Sequence, residues 1–137
     1  MEDILARSKI AFMTPGLGNI YDAGAYNLPT VWLPPANDSQ GQQLVLIERY
    51  GMSDAILHWS DIARDTTIHY SDPQPAVLSQ IAATATRLSR DPGAQNRLSE
   101  LARKHYEAVS GKTGSNTSGI IERFGKGGER AVARLVV

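Results

Sequence analysis

Two short clusters in the first third of the chain carry the residue types that recognise a polar small molecule. The first is Gly16, Leu17, Gly18, Asn19 and, three positions on, Asp22. Glycines let backbone amides approach a phosphate with no Cβ in the way. A helix opening there aims free N–H groups and its positive dipole end at the same spot. Asp22 falls one turn into that helix, where a carboxylate accepts hydrogen bonds from a ribose diol. The second cluster is Asn37, Asp38, Gln40, Gln42 and Gln43. Amides offer a donor and an acceptor together, which matches the paired hydroxyls of a sugar. Both clusters also admit a purely local reading. Asn19 with Asp22, and Ser39 with Gln42, are each spaced as an N-cap and its N3 partner, the arrangement that starts a helix. On that reading Asn37, Asp38, Gln40 and Gln43 are left without a structural task, and this weighs the second cluster towards a site.

Other candidates are weaker. Ser110-Gly-Lys-Thr113 resembles the end of a phosphate-binding P-loop, but Tyr106 stands where the motif needs its first glycine. His58, His69 and His105 are scattered without metal-ligand spacing, so no metal site is expected. His58 beside Trp59 suits a pocket wall, though an ordinary surface histidine accounts for it as well. There is no cysteine, which removes disulfides and thiolate metal sites. No run of about 18 apolar residues is present. The acidic start, Met-Glu-Asp-Ile-Leu, lacks the basic region of a signal peptide, and a cytoplasmic location is expected.

Net charge is zero but unevenly spread: residues 1–72 hold four Lys/Arg against nine Asp/Glu, and residues 73–137 hold ten against five. The basic half reads as a solvated helical face in preference to a dock for an acidic partner or a membrane surface. No nucleic-acid partner and no cofactor are expected.

The elements that must hold these clusters follow from pattern. Lys9–Met13 and the β-branched and aromatic run Thr30–Leu33 read as buried strands, and Ala55–Trp59 as a third. Thr14–Gly18 is a turn, and residues 19–26 are helical until Asn27 and Pro29 stop them. Ser39 opens a second helix, with Leu44, Ile47 and Tyr50 on one face and Gly51 at its end. Further on, Pro75–Ser89 reads as a helix. Asp91 and Pro92 cap another that runs to Ser110, with a break over Gly111–Gly114. Thr117–Phe124 is a short helix, Gly125–Gly128 a turn, and Glu129–Val137 a terminal helix or strand. The order β-α-β-α-β followed by helices implies an α/β domain with a Rossmann-like parallel sheet. Residues 1–72 supply its strand–helix repeats and the site loops, and residues 73–137 the helical remainder. Three strands make a small sheet, so the domain is expected to be incomplete alone, as a fragment or as one half of a pair.

The segment from Phe12 to Gly51 resembles the donor-binding motif of GT-B fold glycosyltransferases, most broadly the MurG-like N-acetylglucosaminyl transferases that use UDP-N-acetylglucosamine. Gly16, Asn19 and Asp22 keep the spacing of that family's glycine, its hydroxyl or amide, and its acidic residue. Leu28-Pro29, Pro34, Asp38, Gln42 and Gln43 follow in the family's order, and Leu88, Asp91 and Arg97 fit its helical tail. The wording Pro-Pro-Ala-Asn-Asp-Ser-Gln is also similar to cytosylglucuronate synthases. The resemblance implies that Gly16 to Asn19 face a donor diphosphate and Asp22 the ribose. It implies that Asp38, Gln40, Gln42 and Gln43 touch the transferred sugar, with no metal ion. Two departures stand out: Asp22 replaces the family's usual Glu, and the second loop is one residue longer. The acceptor-binding domain and the catalytic base of that family have no counterpart here. A partner chain or a homo-oligomer is therefore expected, and the catalytic residues are unassigned. Two functions are open: the donor-binding half of an inverting glycosyltransferase acting on a UDP-sugar, and a non-catalytic nucleotide-sugar binding module or remnant that needs a partner chain.

Overall fold

The computed structural model describes residues 4 and 7–124. The expected turn at Gly125–Gly128 and terminal element at Glu129–Val137 lie outside the described residues.

Three short strands, β1 (Ala11–Met13), β2 (Thr30–Trp32) and β3 (Ala55–Ile56), form one parallel sheet in the order β1-β2-β3. Ala11 pairs with Thr30, Phe12 with Val31 and Met13 with Trp32, while Val31 pairs with Ala55 and Trp32 with Ile56. The ladder continues past the strand ends, where Leu33 N–H donates to Met13 O and Leu57 N–H to Trp32 O. The third strand is shorter than its expected span because Trp59 already begins a helix.

The pleat sorts side chains onto two faces. Met13, Trp32 and Ile56 share one face. They pack with Ile20 and Ala23 of α1 (Leu17–Ala25), with Leu44 and Ile47 of α2 (Asp38–Arg49), and with Ile120. Both crossover helices therefore lie on the same side, as a sequential parallel order with one crossover hand requires. On the other face Val31 and Ala55 are covered by Val109 of α5 (Pro92–Ser110). Phe12, in register with Val31, is left 40% exposed because α5 packs over β2 and β3 and not over β1. Apart from that edge, the sheet is covered on both faces, as parallel sheets require.

Two further helices are α3 (Trp59–Ile62) and α4 (Gln74–Ser89), and α4 pairs with α5. After α5 a 3-10 turn (Asn116–Ser118) leads into α6 (Gly119–Phe124), which packs on α1. The expected single helix over residues 117–124 is thus two pieces. Gly24 makes their close approach possible, since a Cβ there would meet Thr117 O at 2.8 Å and Ile120 Cγ2 at 2.9 Å.

Local punctuation follows the sequence. Asn27 adopts φ 50° and Gly51 φ 66°, the left-handed conformations that end α1 and α2. Asp91 caps α5 through Gly93 N–H at 2.9 Å, with Pro92 in the first turn. No helix among the described residues is long and apolar enough to cross a membrane.

One buried carboxylate locks the return of the chain to β3. Asp54, whose side chain is wholly removed from solvent, receives Thr30 N–H at 3.0 Å, Ser115 Oγ at 2.6 Å, Asn116 N–H at 2.8 Å and Lys112 Nζ at 2.7 Å. Burial alone would raise its pKa. The four hydrogen bonds, that from the Lys112 ammonium foremost, outweigh burial and hold the carboxyl below its ordinary value. The partial P-loop match at Ser110–Thr113 is thereby explained: Lys112 serves this ion pair at the amino end of the strands.

Candidate functional site

Because β1 and β2 are adjacent and parallel, the chain segments that leave them emerge at the same rim of the sheet. Thr14–Gly18 follows β1, and the loop from Leu33 to Asn37 follows β2. The two come within contact range: a Cβ built on Gly16 would lie 3.8 Å from Gln40 Nε2.

The glycine bend is stapled by its own chain. Gly16 N–H donates to Thr14 O at 2.9 Å, and Asn19 Nδ2 donates to the same carbonyl at 3.0 Å. The helix therefore begins at Leu17 with Gly16 as its N-cap, and the Asn19–Asp22 capping arrangement is not formed. Asn19 is instead a third-position residue that braces the turn. Asp22 is half-buried, and its carboxylate makes no hydrogen bond or ion pair among the described residues. Neither Gly16, at φ −73°, nor Gly18, inside the helix, has a backbone that demands glycine. A Cβ at Gly18 would meet nothing within 4 Å, and one at Gly16 only an ordinary contact. Folding gives no reason for the absence of side chains here; a ligand approaching the amides of the first turn would.

The amide-rich cluster is only partly as expected. Asn37, and not Ser39, caps α2: its Oδ1 accepts Gln40 N–H at 2.8 Å, so Asn37 does have a structural task and the Ser39–Gln42 arrangement is not formed. Gln40 Oε1 accepts Ala36 N–H at 2.9 Å, which bends the loop and leaves the Gln40 amide nitrogen towards Gly16. Gln42 is turned away, donating through Nε2 to Tyr70 O at 2.9 Å, and so leaves the rim. Tyr70 can pack so closely because position 41 is glycine, where a Cβ would stand 2.0 Å from the ring. Burial of Tyr70 pushes its phenol pKa up.

Asp38 Oδ1 and Gln43 Oε1 are buried without a protein partner, as is Trp32 Nε1 at the end of β2. Each such atom costs about 1–3 kcal/mol where neither water nor a ligand meets it. These three, all on β2 and the first turns of α2, concentrate that cost behind the second loop. Trp59 supports the loop from the far side, donating Nε1–H to Pro35 O at 2.8 Å. His58 Nε2 lies 3.4 Å from Glu48 Oε1, and the His58 backbone N–H donates to Asp61 Oδ2 at 2.8 Å, so the residue works at the head of α3. No group of residues suited to hold a metal occurs among the described residues.

Leu17 and Gln43 also line an apolar cleft of about 210 Å³ on the helical side, bounded by Leu46, Tyr50, Ile120 and Arg123. Arg123 lies over the Tyr50 ring, 5.3 Å from its centroid. The structure thus brings Gly16, Leu17, Gly18, Asn19, Asn37, Asp38, Gln40 and Gln43 to the rim and its shoulder, with Asp22 further along α1, and turns only Gln42 elsewhere. Asp54 went unnoticed in the sequence because its partners are 24 to 62 residues away, beyond any local spacing.

No protein-family model, curated protein or solved structure matches the chain. The fold and rim define an α/β protein with a three-stranded parallel sheet whose polar loops gather at the strands' carboxyl ends, the usual ligand edge of such sheets.

Proposed function

We propose that this chain is the donor-binding part of an inverting glycosyltransferase, taking a nucleotide-diphosphate sugar, with UDP-sugars as the first choice. The observation that carries the reading is the pair Gly16 and Gly18 at the start of α1: neither backbone nor packing needs glycine there, and the amide of Gln40 faces the same turn. In this reading the diphosphate lies against the amide N–H groups of residues 16–19 and the positive end of α1. Those groups stabilise the charge that grows on the leaving diphosphate without a metal. Asp22, whose carboxylate has no partner among the described residues, accepts from the ribose hydroxyls. Asp38, Gln40 and Gln43 read the sugar, and Asn37 sets the loop. Gln42, held by Tyr70, is dropped from the sugar-contacting set. The base that activates the acceptor hydroxyl comes from another domain or a partner chain, which the β1 edge, paired only with β2 among the described residues, could receive.

Thermal melting tests this. UDP and UDP-sugars should raise the melting temperature, and ATP should not. Asp22→Ala should abolish the shift while the ligand-free protein melts within a few degrees of wild type. A larger shift with ATP, or none with any uridine compound, would sink the reading.

A further inference from the structure

A second polar cleft lies beyond β3. It opens between the turn after α3 and the α4–α5 junction, encloses about 440 Å³, and is lined by Arg64, Asp65, Arg87, Asp91 and Arg97 over Leu88. Leu57, which follows β3, packs with Ile62 and with Ala94 in the first turn of α5. Lys112, just past the far end of α5, reaches Asp54 at the amino end of the strands. The cleft therefore sits at the carboxyl end of the sheet, to one side of the two loops.

Its charged groups divide into two sets. Arg97 is fixed in place: Nε and Nη2 donate to Ile62 O at 3.1 and 2.8 Å, and Nη2 stands 3.5 Å from Asp91. Asp91 in turn caps α5, so that pair is spent on the fold. The second set is Arg64, Arg87 and Asp65. Arg87 donates through Nη2 to Thr66 Oγ1, which holds its guanidinium at the cleft wall. Arg64 and Asp65 make no hydrogen bond or ion pair among the described residues, and neither arginine is bridged to Asp65. Two exposed arginines thus line one cleft together with Asp65, whose carboxylate is unpaired among the described residues. Planar forks of donors match phosphate oxygens, and two of them can clamp one phosphate.

We propose that this cleft binds a small phosphate ester, its phosphate gripped between Arg64 and Arg87 and a neighbouring hydroxyl donated to Asp65. The Asp65 carboxylate, beside the Asp91 already paired with Arg97, disfavours long polyanions and selects a ligand that carries a hydroxyl beside its phosphate. The site is independent of the sugar-nucleotide reading, since it shares no residue with the two loops.

The test is a two-dimensional amide NMR titration of the full chain with glycerol 3-phosphate, with inorganic phosphate alongside and sodium chloride matched for ionic strength. Saturable shifts are expected at Arg64–Thr66 and around Arg87, tighter for glycerol 3-phosphate than for phosphate, with Kd below about 1 mM. Arg64→Gln combined with Arg87→Gln should weaken binding at least tenfold while the remaining spectrum stays dispersed. Equal effects of sodium chloride, perturbation confined to Gly16–Asn19, or undiminished binding by the double variant would each overturn the proposal. Titration with UDP reads the separate resonances of Gly16–Asp22, so the two sites succeed or fail independently.

Discussion

Asp54 shows how much one residue can decide. It joins β2 through Thr30 N–H, the end of α5 through Lys112, and the entry to α6 through Ser115 and Asn116. Lys112 keeps contact with solvent, but deleting the carboxylate leaves the Thr30 N–H and the Ser115 hydroxyl, both on buried residues, without their acceptor. Asp54→Ala should therefore cost about 2 kcal/mol or more, read as a lower midpoint in urea unfolding. The pH dependence has a definite sign. The folded pKa lies below the ordinary carboxylate value, so the folded state binds this proton less readily than the unfolded state. The stabilisation is complete above the unfolded value of about 3.9 and is lost as pH falls through the folded one. Wild type should therefore lose stability steeply below about pH 4, and Asp54→Asn should flatten that limb of the urea-midpoint profile. At the other rim, Asn19 and Asp22 do not form the cap pair their spacing offers. The carboxylate is not tied into a cap, and the amide braces Thr14 O.

The glycines of helices α1 and α2 differ in meaning. Gly24 and Gly41 are demanded by packing, against Thr117 and Ile120 in one case and the Tyr70 ring in the other. Gly41→Ala should force the ring or the helix aside at a cost of about 1–3 kcal/mol, visible as a lowered urea midpoint and altered tyrosine fluorescence. Gly18 faces open space. Gly18→Ala should leave stability unchanged or raise it by up to about 1 kcal/mol, since alanine is the better helix former, yet reduce the melting shift given by UDP. Equal UDP shifts in Gly18→Ala and wild type would mean that the glycine does not serve ligand approach. The second loop depends on α3 as much as on α2, because Trp59 holds Pro35 from outside. Trp59→Phe keeps the ring but loses the donor, and should weaken sugar-nucleotide binding more than it lowers the melting temperature.

At the scale of the molecule the sheet is unevenly dressed. Helices α1, α2 and α6 cover one face, and α5 covers β2 and β3 on the other. Strand β1 pairs only with β2 among the described residues, and Phe12 faces outward beside it. An edge strand with an exposed aromatic residue invites pairing. If a partner strand or a second copy completes the sheet, as proposed, Phe12→Lys should shift sedimentation towards the monomer without lowering the melting temperature by more than a few degrees.

The amino-acid sequence by itself determined the parallel β-α-β-α-β order, because helical and strand periodicities alternate there and Asn27, Gly51, Asp91 and Pro92 punctuate them by backbone preferences that act within a few residues. It also marked the two loops, since one sets Gly16 and Gly18 before a helix and the other gathers five amide and carboxylate residues within positions 37–43. Which side chains in those loops are free was decided only in three dimensions. Asn37 became a cap and Gln42 was drawn to Tyr70, 28 residues away, because hydrogen-bond competition is settled by whatever the fold brings within about 3 Å. The Asp54 clamp and the Arg64–Arg87 cleft were equally invisible in one dimension: their members are scattered along the chain and meet only when α4, α5 and α6 have packed.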